Sequence, residues 1–362
     1  MNTLDFPEIE NFTPIMQKYF HQLEKNLERR NIRSDVRKSF IKGQIGMIEA
    51  VEGYISKIGK ENIKNELGIG PYEAFFKQDP EFMRRVNLFI IDTTPLPLPD
   101  NVHTEIIYID KVPARWIVVP EAKTNNDHVL LHLHGGAYIG GSIRFPGNLI
   151  IPYRVANASN IPVLMLNYGL APKRPFPIGL NDAVNAYKWL LSKGYKTENV
   201  IIWGESAGGG LTMATILKLR ELKIPLPKAA VLLSPWVDLA FKGSTYDSRK
   251  DKDSVLTKEG LSLSAEMYLN GTDPFDPYVS PLYADLAGLP PLYVEVGDWE
   301  VFLDEDTQLA EKASKAGVDV IFNIYPEMPH VHQGGDLAIP EVQQSINQIA
   351  QFIRKQFKLT DN

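Results

Sequence analysis

Cysteine is absent from all 362 residues. That absence excludes disulfides, thiolate-ligated zinc, iron–sulfur clusters and a cysteine nucleophile, and nothing else in the chain calls for an oxidising compartment. Basic excess is missing too: 38 Lys and Arg stand against 44 Asp and Glu, a net charge of −6. Nucleic-acid binders usually carry a basic excess or stripe. The one basic cluster, Arg29, Arg30, Arg33, Arg37 and Lys38, is interleaved with Glu28 and Asp35, as on a solvated helix face. No apolar run reaches the ~18 residues that suggest a membrane-spanning helix. The amino terminus lacks the basic start and apolar stretch of a secretory signal and carries Asp5, Glu8 and Glu10 instead. The expectation is a cytoplasmic protein with no nucleic-acid partner and no integral membrane segment. Its 44% hydrophobic and 23% charged residues are ordinary globular usage, and 26 Gly with 26 Pro exclude collagen and low complexity.

The texture changes at the Pro-Leu-Pro-Leu-Pro stretch, Pro95–Pro99. Before it, Ile15, Tyr19, Leu23 and Leu27, and then Ile45, Ile48, Val51 and Ile55, recur at helical spacing. Helices are therefore expected over 12–30, 34–58 and 80–87. After it, β-rich runs at 104–110, 114–119, 127–133, 162–167, 198–203, 229–234, 291–297 and 318–324 alternate with helical patterns at 180–193, 206–222, 303–316 and 339–357. Four of the runs are almost unbroken apolar stretches, which suit parallel strands covered on both faces. The class is α/β, a doubly wound sheet. The long connection from about 236 to 290 breaks the rhythm and is expected to hold a helix near 257–269.

The sharpest chemical signal is Gly204-Glu205-Ser206-Ala207-Gly208, set between a strand ending in Trp203 and a helical pattern of Leu211, Met213, Ala214 and Leu217. A tight strand-to-helix turn exposes the Ser206 hydroxyl, and the flanking glycines make room for the strained backbone. A phosphate loop is excluded, because no Lys-Ser or Lys-Thr follows. His134-Gly135-Gly136-Ala137 follows the strand 127–133. There, Gly135 and Gly136 would supply N–H donors to an oxyanion, with Ala207 as the third. His132 and His134 lack a third metal ligand nearby, and His132 reads as a packed or hydrogen-bonded strand histidine. The base should lie beyond the last strand, which leaves His330, with His332 as its rival. Asp298, Glu300 and Asp304 compete for the acid. Asp304 is expected to cap the following helix, and spacing does not decide between Asp298 and Glu300.

Taken together, the His134–Ala137 and Gly204–Gly209 motifs resemble the hormone-sensitive-lipase-like serine esterases of the α/β-hydrolase fold. Asn167-Tyr168-Gly169-Leu170-Ala171-Pro172 is similar to a further family segment, as are Asp276-Pro277, Ser280-Pro281 and Pro290-Pro291. The resemblance covers about 104–358. It implies an α/β-hydrolase fold with a mostly parallel eight-stranded sheet flanked by helices. It also implies a Ser206–His330–acid triad and an oxyanion hole of Gly135, Gly136 and Ala207. A helical cap would be formed by the N-terminal segment 1–100 and the insertion 240–285, with 101–362 as the catalytic domain. The family's habit of placing a second acidic residue four positions after the acid matches Glu300-Val301-Phe302-Leu303-Asp304 and favours Glu300 over Asp298. Glu205 departs from the usual Asp or Thr before the nucleophile, and Gly169 and Lys173 replace a customary Arg and Glu.

The expected activity is hydrolysis of carboxylic esters with short to medium acyl chains, through an acyl-enzyme, with no cofactor or metal. An amidase or peptidase with the same triad, or a lipase, are the rival activities. A non-catalytic receptor is disfavoured by the presence of both Ser206 and His330. Tyr138, Trp236 and Met267 are candidate pocket walls. The resemblance also implies a homodimer built through the sheet edge near the last strand.

Overall fold

Strands that are apolar on both faces need helices above and below them, and residues 97–362 build that arrangement. The computed structural model describes residues 12–29, 33–67, 71–76, 86, 96–124 and 127–359. Two compact units divide the chain, Met1–Leu96 and Pro97–Asn362. Among the described residues no helix is long and apolar enough to cross a membrane.

The first unit contains α1 (Pro14–Arg29), α2 (Ser34–Ile58), α3 (Lys60–Leu67) and α4 (Pro71–Phe76). In α2 the predicted row Ile45, Ile48, Val51 and Ile55 is buried. In α1 the buried row is Met16, Phe20 and Leu27, while Ile15 is 43% exposed. The true stripe thus lies one residue away from Ile15 and Tyr19. The Thr13 hydroxyl and N–H both donate to Glu52 Oε1, at 2.6 and 3.0 Å, tying α1 to α2. The helix expected at 80–87 falls outside the described residues, apart from Val86.

The second unit is built on β1 (His103–Ile109), β2 (Val112–Val118), β3 (Val129–Leu133), β4 (Val163–Leu166), β5 (Val200–Glu205), β6 (Ala229–Leu233), β7 (Leu292–Gly297) and β8 (Val320–Tyr325). They form one eight-stranded sheet in the order β1-β2-β4-β3-β5-β6-β7-β8. Only β2 runs against the others. All eight expected strands are present. Every residue of β3 to β7 is buried, as strands covered on both sides must be.

The helices of this unit are α5 (Pro146–Ser159), α6 (Ile178–Ser192), α7 (Ala207–Glu221), α8 (Thr245–Ser248), α9 (Lys258–Leu269), α10 (Leu303–Lys315) and α11 (Pro340–Gln356). The sequence pattern misses α5. Its Pro146 sits at the first helical position and Pro152 lies inside, so the local signals read as a break rather than a helix. Burial of Leu149, Ile151, Val155 and Ala156 overrides that preference, with α5 packed on α11 and on β2 and β4.

Helix α7 follows β5 directly and lies against the end of β3. A Cβ at Gly208 would sit 1.8 Å from the Leu133 carbonyl oxygen, so the crossing exists only because position 208 has no side chain. Three histidines, His132, His134 and His332, are also sealed in this unit. Burial pushes His134 down to about 4 and His332 down to about 3. The His332 ring lies against Tyr325, with centroids 4.7 Å apart, and its nitrogens have no hydrogen-bond partner among the described residues. This packing makes His332 a neutral core residue, unsuited to serve as the base.

Two stability measurements follow. Gly208→Ala forces backbone apart and should lower the unfolding free energy by about 3 kcal/mol or more, read from urea titration; a native urea midpoint would contradict the close crossing. For His332, the unfolded ring takes a proton near its ordinary value of about 6.5, whereas the folded ring stays neutral until about pH 3. Between those limits the unfolded state binds more protons, so acidification favours unfolding. His332→Phe should shrink the stability lost between pH 7 and pH 5 by about 2 kcal/mol. An unchanged loss would show that the ring already carries its proton in the folded state.

Candidate active site

Parallel strands present their carboxyl ends, and the loops that follow them, along one edge of the sheet. Four such loops carry the candidate residues. The first follows β5. Ser206 has φ 56° and ψ −124°, left-handed backbone that a side chain normally avoids. Its carbonyl oxygen accepts the N–H groups of Gly209, Gly210 and Trp236 at 2.9, 3.1 and 2.9 Å, and its own N–H donates to the Leu233 carbonyl at 2.9 Å. The turn is thereby locked to α7 on one side and to the loop after β6 on the other. Ser206 is 7% exposed and stands at the start of α7, where the helix dipole favours negative charge.

The second loop follows β3. Gly136 has φ 122°, and Ala137 and Tyr138 are also left-handed at 53° and 63°. A Cβ at Gly136 would lie 2.3 Å from the Gly140 carbonyl oxygen, so glycine is required there. The turn closes through Ile139 and Gly140, whose N–H groups donate to the Gly136 carbonyl at 3.1 and 2.8 Å. Burial keeps His134 neutral, and because a carbonyl oxygen only accepts, the ring carries its hydrogen on Nδ1 and donates it to the Gly135 carbonyl, 2.8 Å away. Tyr138 is stacked on Tyr268 of α9, with centroids 3.8 Å apart and planes 8° apart. The 240–285 insertion therefore packs directly on this loop. Trp236 lies beneath, fully buried between Tyr138 and Phe302. Both expected wall aromatics are thus part of the support under the site, while Met267 is partly buried against the same core.

This loop corrects one sequence-based expectation. The Gly135 N–H is not a free oxyanion donor, because it donates to Glu205 Oε1 at 2.8 Å. The other Glu205 oxygen lies 2.6 Å from His132 Nε2. His132 is the hydrogen-bonded strand histidine that the sequence suggests. The N–H groups of Gly136, Ala137 and Ala207 have no acceptor among the described residues.

The third and fourth loops follow β7 and β8 and bring Glu300 to His330. Glu300 Oε2 lies 2.7 Å from His330 Nδ1. Its other oxygen accepts the Ser234 hydroxyl at 2.7 Å and the Gly297 N–H at 2.6 Å. Asp298 is engaged elsewhere and accepts the Glu327 N–H at 2.7 Å, bracing the loop that leads to His330. Asp304 sits inside the first turn of α10 rather than at its cap. Its carboxylate accepts the Ser244 N–H and hydroxyl at 2.6 and 2.8 Å, tying the helix start to the insertion.

Three supporting residues carry no sequence signal. Ser234, at the end of β6, donates its hydroxyl to Glu300 and accepts the Val331 N–H at 3.3 Å. Asp253, from the insertion, accepts the Val301 N–H at 3.0 Å. Burial pushes its carboxyl up, against the pull of His330. Glu295, in β7, accepts from Tyr293, Ser345, Tyr325 and Gln333, the last at 2.8 Å and only three residues beyond His330. Among the described residues no group of three His, Asp or Glu side chains is arranged to hold a metal ion.

Comparison with known proteins shows the family. Residues 130–333 match the profile of the alpha/beta hydrolase fold family. An acetyl-hydrolase of Streptomyces hygroscopicus is 38% identical over 250 residues, covering 69% of this chain and 82% of the relative. An esterase of Acinetobacter venetianus is 34% identical over 233 residues, covering 64% and 76%. Among solved structures, an esterase from the bacterial hormone-sensitive lipase family is 41% identical, with a TM-score of 0.72 over 77% of this chain and 92% of the other. The chain belongs to the α/β-hydrolase fold family, in the branch that holds the hormone-sensitive-lipase-like esterases.

Proposed function

We propose that the protein is a serine carboxylesterase that cleaves carboxylic esters by two-step acyl transfer, with Ser206 as nucleophile, His330 as base and Glu300 as the acid that orients it. The contact between His330 Nδ1 and Glu300 Oε2 at 2.7 Å carries this reading. It holds the ring with Nδ1 as donor and leaves Nε2 to take the Ser206 proton. Ser206 Oγ attacks the ester carbonyl carbon, His330 receives the hydroxyl proton, and the carbonyl electron pair moves onto oxygen. Gly136, Ala137 and Ala207 offer the N–H donors for that oxyanion, in place of Gly135. Collapse breaks the bond to the alcohol, which leaves with the proton from His330. Water activated by the same ring then releases the acid and restores Ser206.

On this reading residues 1–100 and 240–285 play the part of a cap, and the family likeness supports esters with short to medium acyl chains. The aromatic support formed by Tyr138, Trp236 and Tyr268 suits an apolar acyl group. A homodimer would use the free edge of β8, where Ile321 and Ile324 are 38% and 46% exposed. Sedimentation at micromolar concentration should give twice the chain mass, and Ile324→Arg should return the monomer. A wild-type monomer would remove this part of the reading.

An acyl-length series of p-nitrophenyl esters tests the chemistry. Ser206→Ala should abolish turnover, and surviving hydrolysis would sink the nucleophile assignment. Glu300→Ala should lower kcat by about 10³-fold or more, and Asp298→Ala by less than about tenfold; the reverse ranking would hand the acid's role to Asp298.

A further inference from the structure

Glu205 is adjacent to the nucleophile, and it is buried at the seam between two catalytic loops. Its backbone lies on β5, one residue beyond the Gly204 that pairs with Leu133 of β3. Its side chain reaches along that seam in both directions. Oε1 takes the Gly135 N–H at 2.8 Å, and Oε2 meets His132 Nε2 at 2.6 Å. The His132 ring lies on Trp203 with centroids 4.2 Å apart, and its Nδ1 has no partner among the described residues. The tautomer that leaves no buried N–H unmatched carries its hydrogen on Nε2, so His132 donates to Glu205. Both carboxylate oxygens are therefore engaged by donors fixed on β3 and its loop.

The Gly135 contact has a mechanical effect. The peptide joining His134 to Gly135 leads into two further peptides whose N–H groups are the candidate oxyanion donors. Gly136 lies between those two, at φ 122°, in backbone that glycine enters and leaves readily. Within the loop each of those two peptides is held by its carbonyl, the Gly135 oxygen by His134 Nδ1 and the Gly136 oxygen by the Ile139 and Gly140 N–H groups; the Gly135 N–H bond to Glu205 is what ties the loop to the strand that leads into Ser206. The loop also runs tight against the nucleophile, since a Cβ at Gly135 would lie 3.3 Å from Ser206 Cβ.

We infer that Glu205 is a positioning residue for the oxyanion hole: its carboxylate, steadied by His132, grips the Gly135 N–H and so fixes the Gly136 and Ala137 N–H groups relative to the Ser206 hydroxyl. Because residue 205 is covalently joined to Ser206, hole and nucleophile form one rigid unit. The inference rests on the Ser206 acyl-transfer reading and assigns that site one further residue. It also gives the unusual glutamate a function. Its extra methylene relative to aspartate provides the reach needed to meet His132 and Gly135 at once.

The test is steady-state kinetics on p-nitrophenyl esters, with active sites counted by stoichiometric reaction with an organophosphonate, so that misfolded enzyme drops out. Glu205→Ala should lower kcat per titrated site by about 10²-fold with KM held within about twofold, since only the transition state uses the hole. Affinity for a trifluoromethyl ketone, whose adduct places an oxyanion in the hole, should fall by a similar factor. Glu205→Gln keeps an oxygen for Gly135 and should recover most of kcat. His132→Phe keeps the ring on Trp203 and removes only the second hold on the carboxylate, so kcat per site should fall several-fold even if Glu205→Ala does not fold. Two outcomes overturn the inference: full kcat per titrated site in both Glu205→Ala and His132→Phe, or a loss confined to KM. Hydrolysis surviving in Ser206→Ala instead overturns the acyl-transfer reading, which keeps the two failures distinct.

Discussion

The site hangs on one backbone oxygen. The Ser206 carbonyl accepts three N–H groups, two from the first turn of α7 and one from Trp236 in the loop after β6. A non-glycine residue in left-handed backbone costs on the order of 1–2 kcal/mol, and it persists only where its surroundings overdetermine it. Here three hydrogen bonds and a helix that presses on β3 do so. The same loop after β6 carries Ser234, which donates to Glu300 and accepts the peptide after His330. The turn that presents the hydroxyl and the pair that would deprotonate it thus share the loop after β6 rather than two independent scaffolds.

Much of this was legible in the sequence where the constraint is local and steric. Gly204 and Gly208 report room for the strained turn at Ser206, although the close pass of α7 over β3 shows only in the fold. Gly136 reports a turn that no side chain tolerates. The apolar runs at 200–203 and 229–233 report strands covered on both faces, since few other environments accept them. These signals need no partner to be read.

What was not legible depends on partners far along the chain. Gly135 looks like a donor to an oxyanion until the Glu205 carboxylate, 70 residues away, takes its N–H. Spacing alone leaves Asp298 and Glu300 equivalent; the family resemblance ranks Glu300 first, and the loop from β8 brings Glu327 to Asp298 and His330 to Glu300. Helix α5 is hidden for a related reason. Its prolines speak locally against a helix, and its case rests on burial against α11 and the sheet. In α1, Ile15 and Met16 are both apolar, and neither periodicity nor composition says which of the two rows faces inward.

The stack of Tyr138 on Tyr268 has a further bearing on how such an enzyme changes. Tyr138 belongs to the loop proposed to cradle the oxyanion, and Tyr268 to the insertion expected to shape the acyl pocket. Trimming Tyr268 to admit a larger substrate removes the plate on which a strained loop rests. Selectivity and catalytic power are therefore coupled traits, and a route to new substrates passes more safely through residues that leave this pair of rings intact.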